Sequence, residues 1–475
     1  MSQRPSSSDT GGSGPFSALL VEPCGWVEPV EVAAGIHRRE GALGLIAGAG
    51  DPAAHGGRMS FVACEPDLCV IGRVDEAAPF EALRSPAFAG GGVVGLMSYD
   101  AGARPATGER GGDWPDLMLA RYPALLAFDH QTKEVRAVGR GRTEAQAREQ
   151  ARRAAAWLTQ ARAPTTPSAP ASAFEGEAAP EVYEAAVADV VARIAAGELF
   201  QANIARVWSG GLAAGRDPFD VFVRLSAVRG AAYGAFWRLG DRVIVSNSPE
   251  LFLTFDEASR RIEARPIKGT RPRASDPGHD DALAAELVAS AKDRAENLMI
   301  VDLMRNDLAR AARPGTVRVE GLCELERHPT VHHLVSTVSA EAAAGFGPAE
   351  VLEAAFPPGS ITGAPKHQAM KVIAAHEPPR GPWCGSLFGW GLAGDLRLTA
   401  SVLIRTAAFV EGAAGWRWRA QAGAGIVADS DPHAERLETE AKIQALCEAL
   451  TGRGVDGLGQ QSVQTTRSTV RGRRK

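Results

Sequence analysis

A lysine in an unusual setting occurs within residues 265–273, which read RPIKGTRPR. Lys268 lies between an isoleucine and the pair Gly-Thr, and Arg265, Arg271 and Arg273 are close to it in sequence. A lysine amine is a nucleophile only after losing its proton, and a pKa of about 10.4 keeps most of it protonated at neutral pH. Nearby cations lower such a pKa. Lys268 is therefore either an ordinary surface charge or, if the arginines lie close to it, a reactive amine.

Carboxylates recur at helical spacing in two segments that could bind a cation. One segment carries Glu296 within the charged run KDRAEN. In the other, Glu435, Glu438 and Lys442 follow at i, i+3 and i+7, which places them on one face of a helix. Mg²⁺ binds one or two carboxylates together with waters and anionic substrate oxygens. The segments predict either a shared magnesium site or ordinary exposed ion pairs.

Two glycine-containing segments offer backbone N–H groups to an anion. In QAGAGIVADS, Gly423, Ala424 and Gly425 lie near the end of a predicted strand, where small residues leave the amides accessible. Residues 356–370, FPPGSITGAPKHQAM, form a loop that leads into a predicted helix. This loop lacks the pattern G-x-x-x-x-G-K-[ST], which disfavours a nucleoside triphosphate site. A tight turn explains the glycines of the first segment equally well.

Composition divides the chain into regions around these residues. Residues 161–181, ARAPTTPSAPASAFEGEAAPE, are typical of a linker or loop between an N-terminal region, 15–160, and a region at 182–451 that holds the residues named above. The ends, 1–14 and 452–475, are polar, and the second is basic. We expect both tails to be disordered because neither can bury enough apolar surface.

Patterns of apolar residues predict the elements that position these side chains. FSALLVEP and YPALLAFD are typical of strands in the N-terminal region, as are RVIVSNS, TASVLIRTAAFV and WRWRAQAGAGIVAD further along. Helical spacing occurs at 279–312, 348–356 and 431–451, where Ser430 or Asp431 could cap the last helix. The alternation predicts an α+β protein with large mixed sheets.

Composition also excludes several classes of function. The chain has 475 residues and a net charge of −4, so it lacks the basic field of a nucleic-acid-binding protein. Its 6 cysteines show no CxxC spacing, which disfavours a disulfide framework and a zinc site. No signal-peptide pattern occurs, and no apolar run reaches the roughly 20 residues needed to span a bilayer. We expect a cytoplasmic protein without nucleic-acid or membrane partners.

Eight motifs together resemble those of the chorismate-utilising enzymes, a family of anthranilate, aminodeoxychorismate, isochorismate and salicylate synthases. In chain order they are GELFQANIAR, SNSPELFL, RPIKGTRPR, DRAENLMIVDLMRNDLAR, HHLVSTV, PPGSITGAPKHQAMKVI, VLIRTA and QAGAGIVADSDPHAERLETEAK. The resemblance is strong over residues 183–450 and weak in the N-terminal region. It implies a two-layered α/β sandwich with large mixed or antiparallel sheets, helices packed outside, and a cleft for chorismate and Mg²⁺.

The resemblance also implies roles for individual residues. Glu296 and Glu438 match the carboxylates that hold Mg²⁺, with Glu435 close by, and the metal would bind the ring carboxylate of chorismate. Arg405 and the amides of residues 423–425 match the groups that hold the enolpyruvyl carboxylate, which suits the forked guanidinium of arginine. Matches to residues that line the ring side of the pocket or the metal surroundings are Gly269, Thr270, His333, Ser360 and Lys442. Trp390 replaces a family tyrosine near the enolpyruvyl group, which removes a hydroxyl donor.

Two positions distinguish among the family's reactions. Members that add water carry a lysine as general base where this chain has Gln201, and a neutral amide cannot deprotonate water. Gln201 therefore favours an enzyme that uses ammonia. Anthranilate synthases have PIAGTR where this chain has PIKGTR, the form common in aminodeoxychorismate synthases. In those enzymes the lysine, here Lys268, is thought to attack C2 and displace the C4 hydroxyl, before ammonia displaces the lysine at C4. Glu250 matches the general acid that protonates the departing hydroxyl.

The expected activity is amination of chorismate at C4 by a transaminase-class synthase, which supplies p-aminobenzoate and folate synthesis. The alternative is anthranilate synthase, which aminates C2 and eliminates pyruvate, and a non-catalytic relative that only binds a partner is a remote third. No cysteine lies in the G-x-C-x-G setting of a glutaminase. We therefore expect a separate glutamine amidotransferase subunit to supply the ammonia. The LLES and NPSPY elements linked to tryptophan binding are absent, so we expect no tryptophan inhibition.

Overall fold

The computed structural model describes residues 14–48, 57–75, 78–165, 168–328 and 331–454. The two tails that we expect to be disordered, 1–14 and 452–475, lie almost wholly outside these ranges.

The described residues form twenty-two β-strands and ten α-helices. The strands are β1 (Ala18–Cys24), β2 (Leu43–Ile46), β3 (Met59–Ala63), β4 (Leu68–Gly72), β5 (Val93–Met97), β6 (Leu117–Arg121), β7 (Ala124–Asp129), β8 (Glu134–Gly141), β9 (Glu175–Gly176), β10 (Gln201–Gly211), β11 (Tyr233–Leu239), β12 (Arg242–Ser248), β13 (Leu251–Asp256), β14 (Arg261–Ala264), β15 (Ile267–Pro272), β16 (Arg318–Arg327), β17 (Val331–Glu341), β18 (Gly363–Ala364), β19 (Ser386–Trp390), β20 (Arg397–Val402), β21 (Thr406–Gly412) and β22 (Gly415–Ile426). The helices are α1 (Pro29–Ile36), α2 (Tyr99–Thr107), α3 (Glu144–Trp157), α4 (Pro180–Ala195), α5 (Pro218–Arg229), α6 (Pro277–Ala289), α7 (Ala291–Ala309), α8 (Pro348–Ala355), α9 (Lys366–His376) and α10 (Pro432–Thr451).

The strands form two antiparallel sheets. The first sheet has 12 strands in the order β1-β8-β7-β3-β2-β11-β12-β21-β22-β10-β18, with β9 paired to β10. The second has 10 strands in the order β15-β17-β14-β13-β20-β19-β5-β6-β4, with β16 paired to β17. Both sheets combine strands from 15–160 with strands from 182–451, joined where β2 pairs with β11 and where β5 pairs with β19. The N-terminal region therefore completes the sheets that carry the later motifs.

Three large apolar clusters hold most of the described helices against the sheets, and a small fourth cluster packs Leu287 of α6 on β16 and β17. Trp157 of α3, Trp237 of β11 and Leu446 of α10 belong to the cluster of the first sheet. The cluster of the second sheet includes Ile300 of α7, Leu352 of α8 and Phe388 of β19. The third joins Val187 of α4 and Ile373 of α9 to Ile204 of β10 and Ile426 of β22. The predicted α+β class, with helices packed on large sheets, is confirmed, although every described strand pairing is antiparallel.

Capping residues explain where the helices around the later motifs begin. The predicted helix at 279–312 is two helices, because Ser290 leaves the helical conformation and accepts a hydrogen bond from the N–H of Asp293 to start α7. Asp431 caps α10 by accepting from the N–H of Ala434. Ser430, the other candidate cap, instead donates to Oε1 of Glu435 at 2.7 Å. The hydrogen bond from Ser430 thereby orients Glu435.

The helices that the structure describes include none long and apolar enough to cross a membrane.

Candidate active site

A cleft of about 690 Å³ lies where β15 and α7 approach β10, β22 and α10. Most of the residues predicted to act together line it: Glu250, Lys268, Gly269, Thr270, Glu296, His333, Ser360, Arg405, Gly423, Gly425, Glu435, Glu438 and Lys442. They come from three strands, two helices and three connections, so the fold brings together side chains that are far apart in sequence.

Lys268 lies on β15, with its amine enclosed by the cleft. Burial lowers the pKa of this amine, the charge of Lys442 lowers it further, and the carboxylate of Glu296 acts in the opposite direction. Gly269 follows with a φ of +84°, and a Cβ atom there would lie 2.8 Å from Cδ1 of Leu287. The backbone beside Lys268 therefore requires glycine.

The arginines of RPIKGTRPR act differently from the expectation that they would lower the pKa of Lys268. Each pairs with a carboxylate: Arg265 with Glu326, Arg271 with Glu286 and Asp293, and Arg273 with Asp280. Paired in this way, their charges are largely neutralised. The leading causes that lower the pKa of Lys268 are burial and Lys442.

Glu250 lies between β12 and β13 and is only 7% exposed. Its carboxyl accepts a hydrogen bond from Ser360, which lies in the short 3₁₀ turn Gly359–Ile361. Burial raises the pKa of Glu250 and outweighs the opposing effects of Ser360 and of the cations Lys268 and Lys442. A carboxyl with a raised pKa retains a proton that it can give to a leaving group.

Three carboxylates approach the cleft from α7 and α10. Burial raises the pKa of Glu296 and of Glu435. Glu438 differs: burial raises its pKa, but Lys442, Lys292 and Lys268 together lower it further than burial raises it. Nζ of Lys442 lies 2.6 Å from Oε1 of Glu438. The carboxylates also repel one another, because the negative charge of Glu438 raises the pKa of both Glu296 and Glu435. Closely spaced negative charges of this kind favour a cation among them.

The carboxylates of the cleft suit Mg²⁺, which needs few protein ligands, better than a metal ion that is held by protein side chains alone. In the described ranges, no three His, Cys, Asp or Glu side chains are arranged closely enough to hold a metal ion. Mg²⁺ commonly binds one or two carboxylates and completes its shell with waters and substrate oxygens. Glu296 and Glu438, from two helices that face one cleft, provide such a partial shell.

The opposite wall is suited to an anion. The N–H of Asn203 donates to the carbonyl of Thr362 and that of Ala205 to Oε1 of Glu377, so neither donates to β22. Their register partners, Gly425 and Gly423, are therefore non-hydrogen-bonded positions whose N–H groups point away from β10.

On that side the edge of β22 is open, because β21 pairs with β22 only as far as Ala420. Arg405, with a φ of +51°, lies in the connection between β20 and β21 and lines the same cleft. Two backbone amides and a guanidinium thus line one part of the cleft, a combination of groups that suits a carboxylate.

His333 also lines the cleft, in its neutral form. Burial, with the charges of His328 and Arg405, lowers the pKa of His333 to about 4. Its Nδ1 lies 2.9 Å from Oγ1 of Thr270, on the neighbouring strand. Lys442 donates from Nζ to the carbonyl of Gly423 at 3.0 Å, which ties α10 to the anion-binding edge of β22.

Three predicted residues lie elsewhere. Trp390 is in the apolar cluster of the second sheet, where its Nε1 donates to Oε1 of Glu257 at 2.9 Å, and it does not line the cleft. Ala424 buries its side chain among α4 and α9, and its alternating position in the register turns its amide toward β10. Gln201 is fully buried behind the lining, next to Gly425 and Lys268.

Several residues that line the cleft were missed by sequence reasoning: Asn203, Lys292, Asp293, Trp383 and Gln421. Asn203 follows Gln201 by two positions, and because the structure places both on β10 they share a face of that strand. Trp383, in RGPWCG, lines the cleft, whereas Trp390 does not. No local pattern separates these two tryptophans, since both precede or end apolar runs.

Comparison with known proteins agrees with this geometry. The model of the chorismate binding enzyme family matches residues 59–448. Aminodeoxychorismate synthase component 1 of Salmonella typhimurium is 38% identical over 400 residues, which cover 83% of this chain and 84% of that protein. Anthranilate synthase component 1 of Aeropyrum pernix is 41% identical over 283 residues, 58% of this chain and 61% of that protein.

Among solved structures, anthranilate synthase component I of Streptococcus pneumoniae superimposes with a TM-score of 0.70 at 25% identity, covering 82% of this chain and 92% of that one. Sequence, fold and cleft agree, and the chain belongs to the chorismate binding enzyme family.

Proposed function

We propose that the protein is the large subunit of an aminodeoxychorismate synthase, which converts chorismate and ammonia to 4-amino-4-deoxychorismate and water. One observation carries the proposal: an amine with a lowered pKa, Lys268, and a carboxyl with a raised pKa, Glu250, line the same cleft. Both shifts favour the neutral forms that a nucleophile and a general acid need. The Salmonella relative bears the same enzyme name.

The two neutral groups account for the first half of the reaction. The amine of Lys268 forms a bond to C2 of the ring, the two conjugated ring double bonds each shift by one position, and the C4–O bond breaks. Glu250 gives its proton to the departing hydroxyl, which leaves as water. Ammonia then bonds to C4, both double bonds shift back, and the C2–N bond to Lys268 breaks. The C4 ammonium so formed returns a proton to Glu250, which restores both residues. The enolpyruvyl group is retained throughout.

The substrate's two carboxylates are held at opposite ends of the cleft. Arg405 and the N–H groups of Gly423 and Gly425 bind the enolpyruvyl carboxylate. Glu296 and Glu438, with Glu435 near them, would hold Mg²⁺ at the other end. When bound, the metal neutralises the charge of the ring carboxylate. This orientation presents the ring to Lys268 and Glu250.

Ammonia comes from a separate glutamine amidotransferase subunit in this proposal, and the reaction belongs to the transaminase class of p-aminobenzoate and folate synthesis. The designation component 1 of the relatives supports a second component. Glutamine would then support the reaction only when such a subunit is added, whereas ammonium would support it alone.

Anthranilate synthase is the second candidate. The relative from Aeropyrum pernix, at 41% identity, is the observation that favours it. In that reaction ammonia bonds to C2, and pyruvate is then eliminated to form an aromatic ring.

Product analysis separates the two candidates. The purified chain is incubated with chorismate, Mg²⁺ and ammonium, and the products are resolved by liquid chromatography with mass detection. We expect 4-amino-4-deoxychorismate without pyruvate. Anthranilate and pyruvate in equal amounts would instead establish the second candidate.

A further inference from the structure

A buried ion pair anchors the chain that leads to Ser360. Lys366 begins α9 with its side chain 14% exposed, and its Nζ lies 2.6 Å from Oδ2 of Asp307, a side chain of α7 that is 3% exposed. The same amine donates to the carbonyl of Ala355, the last residue of α8, at 3.1 Å and to that of Pro357 at 2.8 Å. A charged lysine has three N–H donors, so all of them are used. The pair therefore fixes α7, the end of α8 and the chain after α8 relative to one another.

The 3₁₀ turn Gly359–Ile361 follows two successive prolines, at 357–358. Proline has no N–H group, so hydrogen bonds can fix these two residues only through their carbonyls. Lys366 supplies the donor for the first of them, at the entry to the turn. At the exit, Nη1 of the buried Arg380 donates to the carbonyl of Ile361 at 3.1 Å. The turn is thus held at both ends by buried cations.

This turn presents Ser360 to Glu250. Both residues are 7% exposed, and the hydroxyl of Ser360 donates to the carboxyl of Glu250. The bond favours the ionised carboxylate and so opposes burial, which raises the pKa of Glu250. A displaced turn would remove this donor and leave burial unchanged.

Other titratable groups also act on the carboxyl of Glu250: Lys268, Lys442, Arg405 and Cys384. The three cations lower the pKa of Glu250, as Ser360 does. The thiol of Cys384 stays protonated, because burial raises its pKa. None of these four groups belongs to the turn, so their effect remains when the turn moves.

We propose that Lys366 is a positioning residue, which with Asp307 holds the turn Gly359–Ile361 so that the hydroxyl of Ser360 stays on Glu250. The inference rests on the proposed function for the role of Glu250 as the acid. Lys366 itself does not line the cleft and acts through Ser360. It thereby sets the pH at which the acid loses its proton. A lysine that only stabilised the fold would leave that pH unchanged.

Four variants test the inference. Lys366→Met removes the three donors and keeps a long side chain, Ser360→Ala removes the hydroxyl, and a double variant combines the two changes. Lys371→Met, at an exposed position of α9, is the matched control. For each variant the pH profile of kcat is measured at a constant concentration of free ammonia, and melting curves establish that it is folded.

An infrared titration of the Glu250 carboxyl provides a second measurement, which needs no turnover. It follows the C=O stretch of the protonated acid, identified by its loss in Glu250→Gln.

For Lys366→Met we expect the alkaline limb of the profile and the infrared titration to move to higher pH by about 1 pH unit, because the carboxylate loses its donor. The acid limb, which comes from Lys268, should stay in place. Ser360→Ala should cause a similar movement, and the double variant should move no further, because both changes remove one hydrogen bond. Asp307→Asn, a milder change, should move both measurements in the same direction by less.

A folded Lys366→Met chain with a lower melting temperature and an unmoved Glu250 titration would overturn the inference. Movements that add in the double variant would also overturn it, because Lys366 would then act by a route other than Ser360. If Lys366→Met does not fold, an unmoved titration in Asp307→Asn has the same meaning. An unaltered chain that forms no aminated product would overturn the proposed function alone, since the infrared titration still decides whether Lys366 positions Ser360.

Discussion

At the scale of single residues, we propose that Lys268 decides which carbon is aminated. Replacing it by alanine removes the amine that attacks C2, so we expect 4-amination to fall by about 10²–10⁴-fold, and direct attack of ammonia at C2 to yield some 2-amino product. The measurement is the rate and product ratio with ammonium as nitrogen source. Lys371→Ala, an exposed lysine on α9, is the matched control. Unaltered rate and products in Lys268→Ala would remove the covalent role.

The opposite pKa shifts of two residues predict the pH profile. Burial lowers the pKa of Lys268, and activity is lost as pH falls through that pKa because the amine gains a proton. Burial raises the pKa of Glu250, and activity is lost as pH rises through that pKa because the acid loses its proton. We expect a bell-shaped profile of kcat, measured at a constant concentration of free ammonia.

The variant Glu250→Gln checks the second half of this prediction. We expect kcat to fall by about 10²–10⁴-fold and the alkaline limb of the profile to disappear. An alkaline limb that persists in the folded variant would show that another group titrates there, and Glu250 would not be the acid.

The role of a single residue could be predicted where it depends on its own motif, but not where it depends on a partner from a distant part of the chain. Most of the residues identified through the motifs line one cleft, because each motif carries its own contribution to the pocket. The pairing of Arg265 with Glu326 and of Arg273 with Asp280 could not be foreseen. These partners belong to other elements, so only the folded chain shows that the arginines are neutralised rather than directed at Lys268.

At the scale of elements, the backbone beside Lys268 depends on Gly269. Its φ of +84° disfavours any side chain, and a Cβ atom would also lie 3.0 Å from Cβ of Asp293. We expect Gly269→Ala to lower the free energy of unfolding by about 1–3 kcal/mol through the backbone alone, with a further loss from these contacts. Urea denaturation measures the change.

Gly315→Ala separates the two causes, because Gly315 has a φ of +77° and no atom within 4 Å of an added Cβ. We expect it to lose only the backbone contribution. Equal losses at the two positions would show that the contacts around Gly269 relax without cost.

Element types were predictable and their ends less so. Apolar spacing located α8 and α10 closely. The helix predicted over 279–312 is instead interrupted at Ser290, which leaves the helical conformation and caps the start of α7. The strand predicted over TASVLIRTAAFV likewise divides at Arg405, whose positive φ no apolar pattern encodes. Gly423 and Gly425 lie within β22 rather than in a turn. The side-chain carboxamides of Asn203 and Gln201, on β10, fill the space where a side chain at either glycine would lie.

At the scale of the whole molecule, the two sheets could not be assembled from sequence patterns. The contacts of β2 with β11 and of β5 with β19 join distant parts of the chain, and nothing local specifies such pairings. The same assembly brings α7 and α10 to one cleft. The placement of the carboxylates is therefore a property of the complete fold, whereas the cytoplasmic location expected from the sequence stays a prediction.

Mg²⁺ dependence follows from that placement. We expect chelation to abolish activity and added Mg²⁺ to restore it, and Glu438→Gln to raise the Mg²⁺ concentration needed by at least about 10-fold. Because burial raises the pKa of Glu296 and Glu435, protons compete with the metal, and calorimetry should show weaker Mg²⁺ binding as pH falls. Asp302→Asn, at an exposed position of α7, is the control. A Mg²⁺ requirement unchanged in Glu438→Gln would exclude that carboxylate as a ligand.

The central claim is that the amine of Lys268 bonds to the ring and so directs ammonia to C4. Mass spectrometry tests it most directly, by quenching the chain after incubation with chorismate and Mg²⁺ in the absence of ammonia. The account predicts an added mass of chorismate less one water, located on the peptide that contains Lys268 and absent from Lys268→Ala. An active chain that carries no such adduct, together with a Lys268→Ala variant that still aminates C4, would contradict it.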